Sequence, residues 1–286
     1  NGSLKLAKEL CDAALNAGAD AIKFQTFSTN KIASDTAKMC GYQISNTGTN
    51  APQVDLLRKL ELSHKSFKIL KNYCQNIRID FISSPFDIKS ARFLVEELGL
   101  NCIKIPSGEI TNGPYLLFIA KLGKPVILST GMSNLLEIKD ALDVLAYGYS
   151  NRIEPKRFAD IRGISDSQKG QSILRNNVQL LHCTTDYPAP VESINLLALD
   201  TMRHEFDLPI GYSDHSTGIS VAIAAVARGA QIIEKHLTLN QNMNGPDHKA
   251  SIEPGLFKEM VHAIRDIDIA LGTNEKKPHQ TEMKNI

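Results

Sequence analysis

The chain has 286 residues, a net charge of +1, and 42% apolar and 22% charged residues, enough for one large globular domain with a sizeable core. That balance excludes a basic nucleic-acid-binding surface or a charged tail, and the longest strictly apolar stretch, Val221 to Ala227, falls far short of a membrane span. The five cysteines (Cys11, Cys40, Cys74, Cys102, Cys183) are odd in number, lack CxxC spacing and mostly lie in apolar runs, the pattern of reduced, buried thiols in a cytoplasmic protein.

Helix and strand signals alternate from end to end. Asn1-Gly2-Ser3 runs straight into a helical pattern (Leu4, Leu6, Ala7, Leu10, Ala13, Ala14), like the tail of a strand–loop junction whose strand precedes the chain. An apolar strand over 21–27 follows, then a polar loop over 28–53 and a helix from about Leu56 to Tyr73. Next come a strand over 80–86, a helix from Ile88 to Leu98, a strand over 102–109 and a short helix near Tyr115 to Leu122. A strand over 125–131 leads into a helix from Leu135 to Tyr147, and the polar, poorly periodic stretch 148–175 reads as an insertion. The chain continues with a strand over 178–183, a helix around Ile194 to Phe206 and a strand over 208–212. A helix over 218–229, a strand over 231–233 and a helix from Leu256 to Leu271 complete it.

These are seven strands and eight helices, beginning with a helix. One further strand before Asn1 makes the set a (β/α)8 TIM barrel that lacks its first strand here. The competing open doubly wound sheet needs a Gly-rich phosphate turn with an acidic partner, which is missing. Nearly every strand also ends in polar residues, which a barrel gathers at one mouth. The expectation is a barrel over 1–272, with 273–286 as the start of a linker.

On a strand, residues two apart share a face, so Ser213 and His215 point together, as do Glu234 and His236. In adjacent parallel strands those faces meet, bringing two imidazoles and a carboxylate to one place. The set suits a divalent ion such as Mn, Fe, Zn or Mg, with positions left open for substrate. A lone strand-end histidine, by contrast, is usually a hydrogen-bonded core residue.

Lys23 and Lys104 lie within otherwise apolar strands, where a buried ammonium needs an anion, either a carboxylate such as Glu109 or a bound phosphate. Ser84, Ser107, Ser129 and Ser213, with the backbone at Ser107-Gly108 and Thr130-Gly131, could complete a phosphate or carboxylate cradle. The plainer alternative is snorkelling lysines and serines in turns. The turn Gly245-Pro246-Asp247 could set Asp247 over the mouth to grip a sugar hydroxyl, or be only a turn.

In this order the residues resemble the sialic acid synthase family, the N-acetylneuraminate synthases and their legionaminate relatives. Asn1-Gly2-Ser3 is similar to the end of the family's opening motif. The match continues through Ile22-Lys23-Phe24-Gln25-Thr26, Ser83-Ser84-Pro85-Phe86, Lys104 to Glu109 and Leu128 to Met132. It resumes at Leu181 to Pro188, Gly211 to His215, Glu234 to His236 and Gly245 to Ser251.

The resemblance implies condensation of phosphoenolpyruvate with an N-acetylated hexosamine, usually N-acetylmannosamine, giving N-acetylneuraminate and phosphate, or N,N'-diacetyllegionaminate from a diacetamido sugar. It implies phosphoenolpyruvate binding by Lys23, Ser84, Lys104, Ser107, Ser129 and Ser213, with Ser84 standing where some members have Thr. His215 and His236 match metal ligands, for Mn or Mg. Gln25, Tyr187 and Asp247 match sugar-contacting positions, Glu109 an acidic residue at the mouth, and Lys23, Lys104, Glu109 and Glu234 the catalytic set. It also implies a domain-swapped homodimer, in which a C-terminal antifreeze-like domain beyond Ile286 closes the partner's site.

Two rival readings stand beside it. Heptulosonate- and octulosonate-phosphate synthases use the same enol chemistry on phosphorylated aldoses, but need a second basic pocket that no spare Arg or Lys pair supplies at the other strand ends. A non-catalytic sugar-phosphate-binding barrel is the third reading.

Overall fold

The computed structural model describes residues 2–34, 36–39, 41–48, 51–151 and 153–286, and leaves the side chains of Tyr42 and Ser45 undescribed. Asn1, in the stretch similar to the end of the family's opening motif, and Cys40, expected as a buried thiol, lie outside the described residues.

The chain opens with α1 (Leu4–Asn16), where Ser3 caps the free Leu6 N–H, and enters β1 (Ala21–Thr26). The segment expected as a loop holds two short helices, α2 (Thr29–Ile32) and α3 (Gly41–Thr47). The helix expected over 56–73 is two, α4 (Gln53–Leu60) and α5 (His64–Ile77). The break has a tertiary cause and a local one: the Glu61 carboxylate accepts from the Thr29 N–H at 2.9 Å and from the Thr29 hydroxyl at 2.5 Å, and Ser63 caps α5.

Then follow β2 (Asp80–Pro85), α6 (Ile88–Arg92) running into a π-turn over Phe93–Glu97, β3 (Ile103–Ile105) and α7 (Gly113–Lys121). β3 is shorter than expected because Pro106 cannot donate to a ladder, and the chain turns into a 3-10 turn over Ser107–Glu109. After β4 (Val126–Ser129), α8 (Leu135–Ser150) starts at a capping box between Asn134 and Glu137.

The expected insertion is narrower than 148–175, since α9 (Gln168–Asn177) takes its last part. Buried Asp143 on α8 pins the rest, accepting from Gly163 N–H at 2.7 Å and Ser165 N–H at 2.8 Å. β5 (Val178–Cys183), α10 (Ala198–Phe206), β6 (Ile210–Asp214), α11 (Ser220–Ala227), β7 (Ile233–Lys235) and α12 (Pro254–Leu271) complete the fold. Residues 273–286 are exposed.

All strands run parallel and in chain order, with helices as crossovers, the winding of a TIM-barrel-like α/β fold. Of the barrel lacking its first strand expected from sequence, the described residues form two sheets, β1-β2 and β3-β4-β5-β6-β7. β2 and β3 lie side by side, but a three-residue β3 offers little edge to pair. β1 and β7 each have a ladder partner on one side only. Between them opens a cavity of about 910 Å³, walled by Leu6, Leu10, Ile22, Ile233, Met260 and Val261 and reaching the strand ends at Lys23 and Glu234. The largest core cluster packs β3–β6 against α7, α8 and α10, and a second joins α1 to α5 and β1.

Of the cysteines, Cys11, Cys74 and Cys183 are buried free thiols, whereas Cys102 is only half-buried. No helix among the described residues is long and apolar enough to cross a membrane.

Candidate active site

The two lysines meet at one carboxylate. Glu234, from β7, places Oε2 2.9 Å from Lys23 Nζ of β1 and Oε1 3.7 Å from Lys104 Nζ of β3. Expected as the lysines' partner was Glu109; it lies off this cluster, accepting from Asn112 Nδ2 at 2.7 Å on the turn after β3. The reason is register: Glu234 faces inward on a strand, while Glu109 sits on a turn that has left the sheet. Burial alone would raise the Glu234 carboxyl, but the Lys23 and Lys104 charges and the hydrogen bonds of Lys23 and Ser213 hold it well below the usual range. Lys104 is 2% exposed, and burial, opposed by Glu234, pushes its ammonium down to about 8.

The serines divide. Lys104 Nζ donates to Ser129 Oγ at 2.6 Å and to the Ile105 carbonyl at 3.3 Å, and Ser213 Oγ donates to Glu234 Oε1 at 2.8 Å. Glu234, at 3.7 Å, meets Lys104 as a charge partner beyond hydrogen-bond length. Ser107 Oγ stands 3.2 Å from Cys183 Sγ and accepts from Gly131 N–H at 2.9 Å. A Cβ at Gly131 would collide with Thr185 Oγ1 and lie 2.9 Å from both Cys183 Sγ and Ser107 Oγ, so this close approach admits only glycine. Buried Ser84 shares the inner face of the β1–β2 pair with Gln25, its register partner.

The histidines lie together just past the ends of β6 and β7, their ring centroids 5.4 Å apart and nearly perpendicular. His215 Nδ1 is 2.6 Å from the Thr184 carbonyl, which can only accept, so that nitrogen carries the proton and Nε2 keeps its lone pair. Burial lowers the His215 pKa; for His236, burial first and then the Lys23 and His215 charges push it down to about 3. Tyr187 lays its ring 4.3 Å from that of His215 and 5.5 Å from that of His236. Among the described residues no group of three or more His, Cys, Asp or Glu stands together as a metal cage.

Gln25 and Asp247 line the same cavity as Lys23, Lys104, Glu234 and His236. The loop bearing Asp247 is held from several sides: His248 Nδ1 lies 2.7 Å from Thr238 Oγ1, and Asn46 Nδ2 donates to the Pro246 carbonyl at 2.6 Å. Asp247 Oδ1 is buried without a hydrogen-bond partner among the described residues, and burial raises that carboxyl. Sequence reasoning missed Asn46, Thr185 and Cys183; the first, on α3, and the second, in a loop, lie far along the chain from what they touch, and the third reads as core.

A family profile described as NeuB matches residues 10–276. The chain belongs to the NeuB family. Two NeuB-family relatives are called N,N'-diacetyllegionaminic acid synthase. The one from Campylobacter jejuni is 46% identical over 100% of this chain and 78% of its own length, and the one from Legionella pneumophila 42% over 99% and 73%. Mouse N-acetylneuraminate-9-phosphate synthase is 33% identical over 99% of this chain and 71% of its own.

The crystal structure of an N-acetylneuraminic acid synthetase from Leptospira borgpetersenii superposes with a TM-score of 0.78 at 32% identity, covering 99% of this chain and 85% of that one. A truncated 3-deoxy-D-arabino-heptulosonate 7-phosphate synthase from Thermotoga maritima reaches 0.62 at 17% identity, a likeness of fold alone. As a NeuB-family synthase the chain is an enzyme of the phosphoenolpyruvate-dependent, carbon–carbon bond-forming class.

Proposed function

We propose that the chain condenses phosphoenolpyruvate with the open-chain aldehyde of an N-acetylated amino sugar and water, yielding a nine-carbon 2-keto acid and phosphate. The acceptor we favour is a 2,4-diacetamido-trideoxyhexose, giving N,N'-diacetyllegionaminate, in place of the N-acetylmannosamine expected from sequence. Identities of 46% and 42% to the two legionaminic acid synthases, against 33% to the mouse neuraminate-phosphate enzyme, favour it. The reaction class is carried by one observation: Lys23, Lys104 and Ser213 converge on Glu234, with Ser129 holding Lys104, beside two neutral imidazoles.

In this reading Lys23 and Lys104 neutralise the phosphate and carboxylate of phosphoenolpyruvate, with Ser84, Ser107, Ser129 and Ser213 supplying hydroxyls. Fixed donors in a water-poor pocket hold the enol carbon in attack geometry without reorganising. As that carbon bonds to the aldehyde, the new alkoxide needs a proton, and the Lys104 ammonium, pushed down to about 8, is a competent donor near neutral pH. Water then adds at C2 and phosphate leaves. Glu234 pairs with both lysines and holds their side chains in place. Gln25, Tyr187 and Asp247 grip the sugar, the unpaired Asp247 Oδ1 accepting from a hydroxyl, with Glu109 at the mouth.

His215 and His236 fit a divalent ion, Mn or Mg: both rings are neutral, and the Thr184 carbonyl orients His215 from behind as outer partners of metal-bound imidazoles do. Bound there, the ion would polarise the aldehyde as a Lewis acid. A reaction consuming phosphoenolpyruvate belongs in the cytoplasm, and a homodimer whose partner closes the mouth is part of the same reading.

The test is phosphate release from phosphoenolpyruvate with Mn²⁺, assayed side by side with the diacetamido sugar and N-acetylmannosamine. Faster turnover on the diacetamido sugar, abolished by a chelator, is expected. Preference for N-acetylmannosamine overturns the acceptor, and release without any sugar overturns the reaction.

A further inference from the structure

One buried ion pair lies directly behind the site and takes no part in the chemistry above. Asp214 closes β6 and Lys235 closes β7, opposite each other in register, with side chains 0% and 1% exposed. Lys235 Nζ donates to Asp214 Oδ2 at 2.7 Å and to the Ser216 carbonyl at 2.5 Å. Asp214 Oδ1 in turn accepts from Ser216 N–H at 2.9 Å and Ser216 Oγ at 2.7 Å. Each charge is met within this network.

Its place in the sequence is what matters. Asp214 lies between Ser213 and His215, and Lys235 between Glu234 and His236, so strand alternation puts the pair on the outer face and those four residues on the inner one. A side chain on the outer face can set the inner face only by fixing the backbone between them. Ser216 extends the grip past His215, whose own carbonyl accepts from Ala189 N–H at 2.9 Å. An apolar pair would fill the same space at similar or better stability, so burying two charges here calls for a reason other than stability.

We propose that Asp214 and Lys235 are a positioning pair: by locking the ends of β6 and β7 together in one register, they set the spacing of His215, His236 and Glu234. The proposal rests on the reading of those residues as the metal and anion site.

The test uses the full 286-residue chain. The double variant Asp214→Leu/Lys235→Met removes both charges together and leaves no unpaired buried ion, so it is expected to keep its unfolding midpoint within about five degrees. Ring nitrogen resonances of His215 and His236, recorded in metal-free protein, are expected to move, and the dissociation constant for Mn²⁺ to rise at least about tenfold. Turnover should fall through kcat more than through the KM for phosphoenolpyruvate.

Unmoved rings with wild-type Mn²⁺ affinity overturn the proposal and leave the pair a structural filler. Moved rings in a protein whose wild type binds no Mn²⁺ uphold the positioning role and count against the metal reading instead. Should the double variant not fold, Ser216→Ala removes one bond to Asp214 and no charge. There about a threefold loss of Mn²⁺ affinity with shifted rings is expected, and unmoved rings again overturn the idea.

Discussion

Lys104 shows at the scale of one residue how burial and chemistry are linked. Its ammonium has left water, and only Ser129 Oγ, one carbonyl and the Glu234 charge replace what it lost. Lys104→Met removes the charge-assisted contact to phosphoenolpyruvate, worth about 1.5–3 kcal/mol, so calorimetry should find binding roughly 10- to 150-fold weaker. An unchanged affinity would sink the anion-pocket assignment. The residue types were legible in sequence, since two lysines and several serines end apolar strands. Their partner was not: which carboxylate they meet depends on the curl that brings the Glu234 side chain of β7 within reach of Lys23 on β1 and Lys104 on β3.

At the scale of elements, most strands and helices appear where apolar periodicity puts them, because period 2 and period 3.6 are properties of the local chain. The misreadings have tertiary causes. Glu61 breaks one expected helix by bonding to Thr29, and Asp143 organises a stretch with no periodicity of its own. Asp143→Ala would leave two inward N–H groups without their acceptor, at about 1–3 kcal/mol each. Urea unfolding should therefore show a loss of about 2–5 kcal/mol, while turnover per folded molecule stays as in wild type. Full retention of stability would mean that the segment over 153–167 holds itself.

For the whole molecule, two properties lead to measurements. Burial lowers the pKa of His182, His215, His236 and His248, half of the eight histidines. In the unfolded chain each titrates near 6.5. Between that value and the lower folded one, the unfolded state binds more protons, so stability is undiminished above about pH 6.5 and falls as the solution is acidified, by up to about 1.4 kcal/mol per pH unit for each histidine. Melting of the metal-free protein from pH 8 to 5 should be flat and then decline; a rise on acidification would contradict the burial of these rings.

The second property is the unpaired sides of β1 and β7, which face an apolar-walled cavity. Free strand edges beside apolar surface invite pairing with other chains. Light scattering of the purified 286-residue chain should show association that grows with concentration, and a strictly monomeric solution at high concentration would count against it.

What local sequence determined here is everything that depends on spacing along one strand or helix: the alternation of elements, the polar strand ends, the shared faces of Ser213 with His215 and Glu234 with His236, and through them the family. What only the tertiary structure decided are the meetings between distant segments. These are the carboxylate between the two lysines, the tyrosine over the imidazoles, the glycine packed among three side chains, and the buried Asp214–Lys235 pair. The physical reason is that periodicity reports which way a side chain faces, whereas its partner is chosen by how strands curl and stack, and that is settled by burial summed over the whole core.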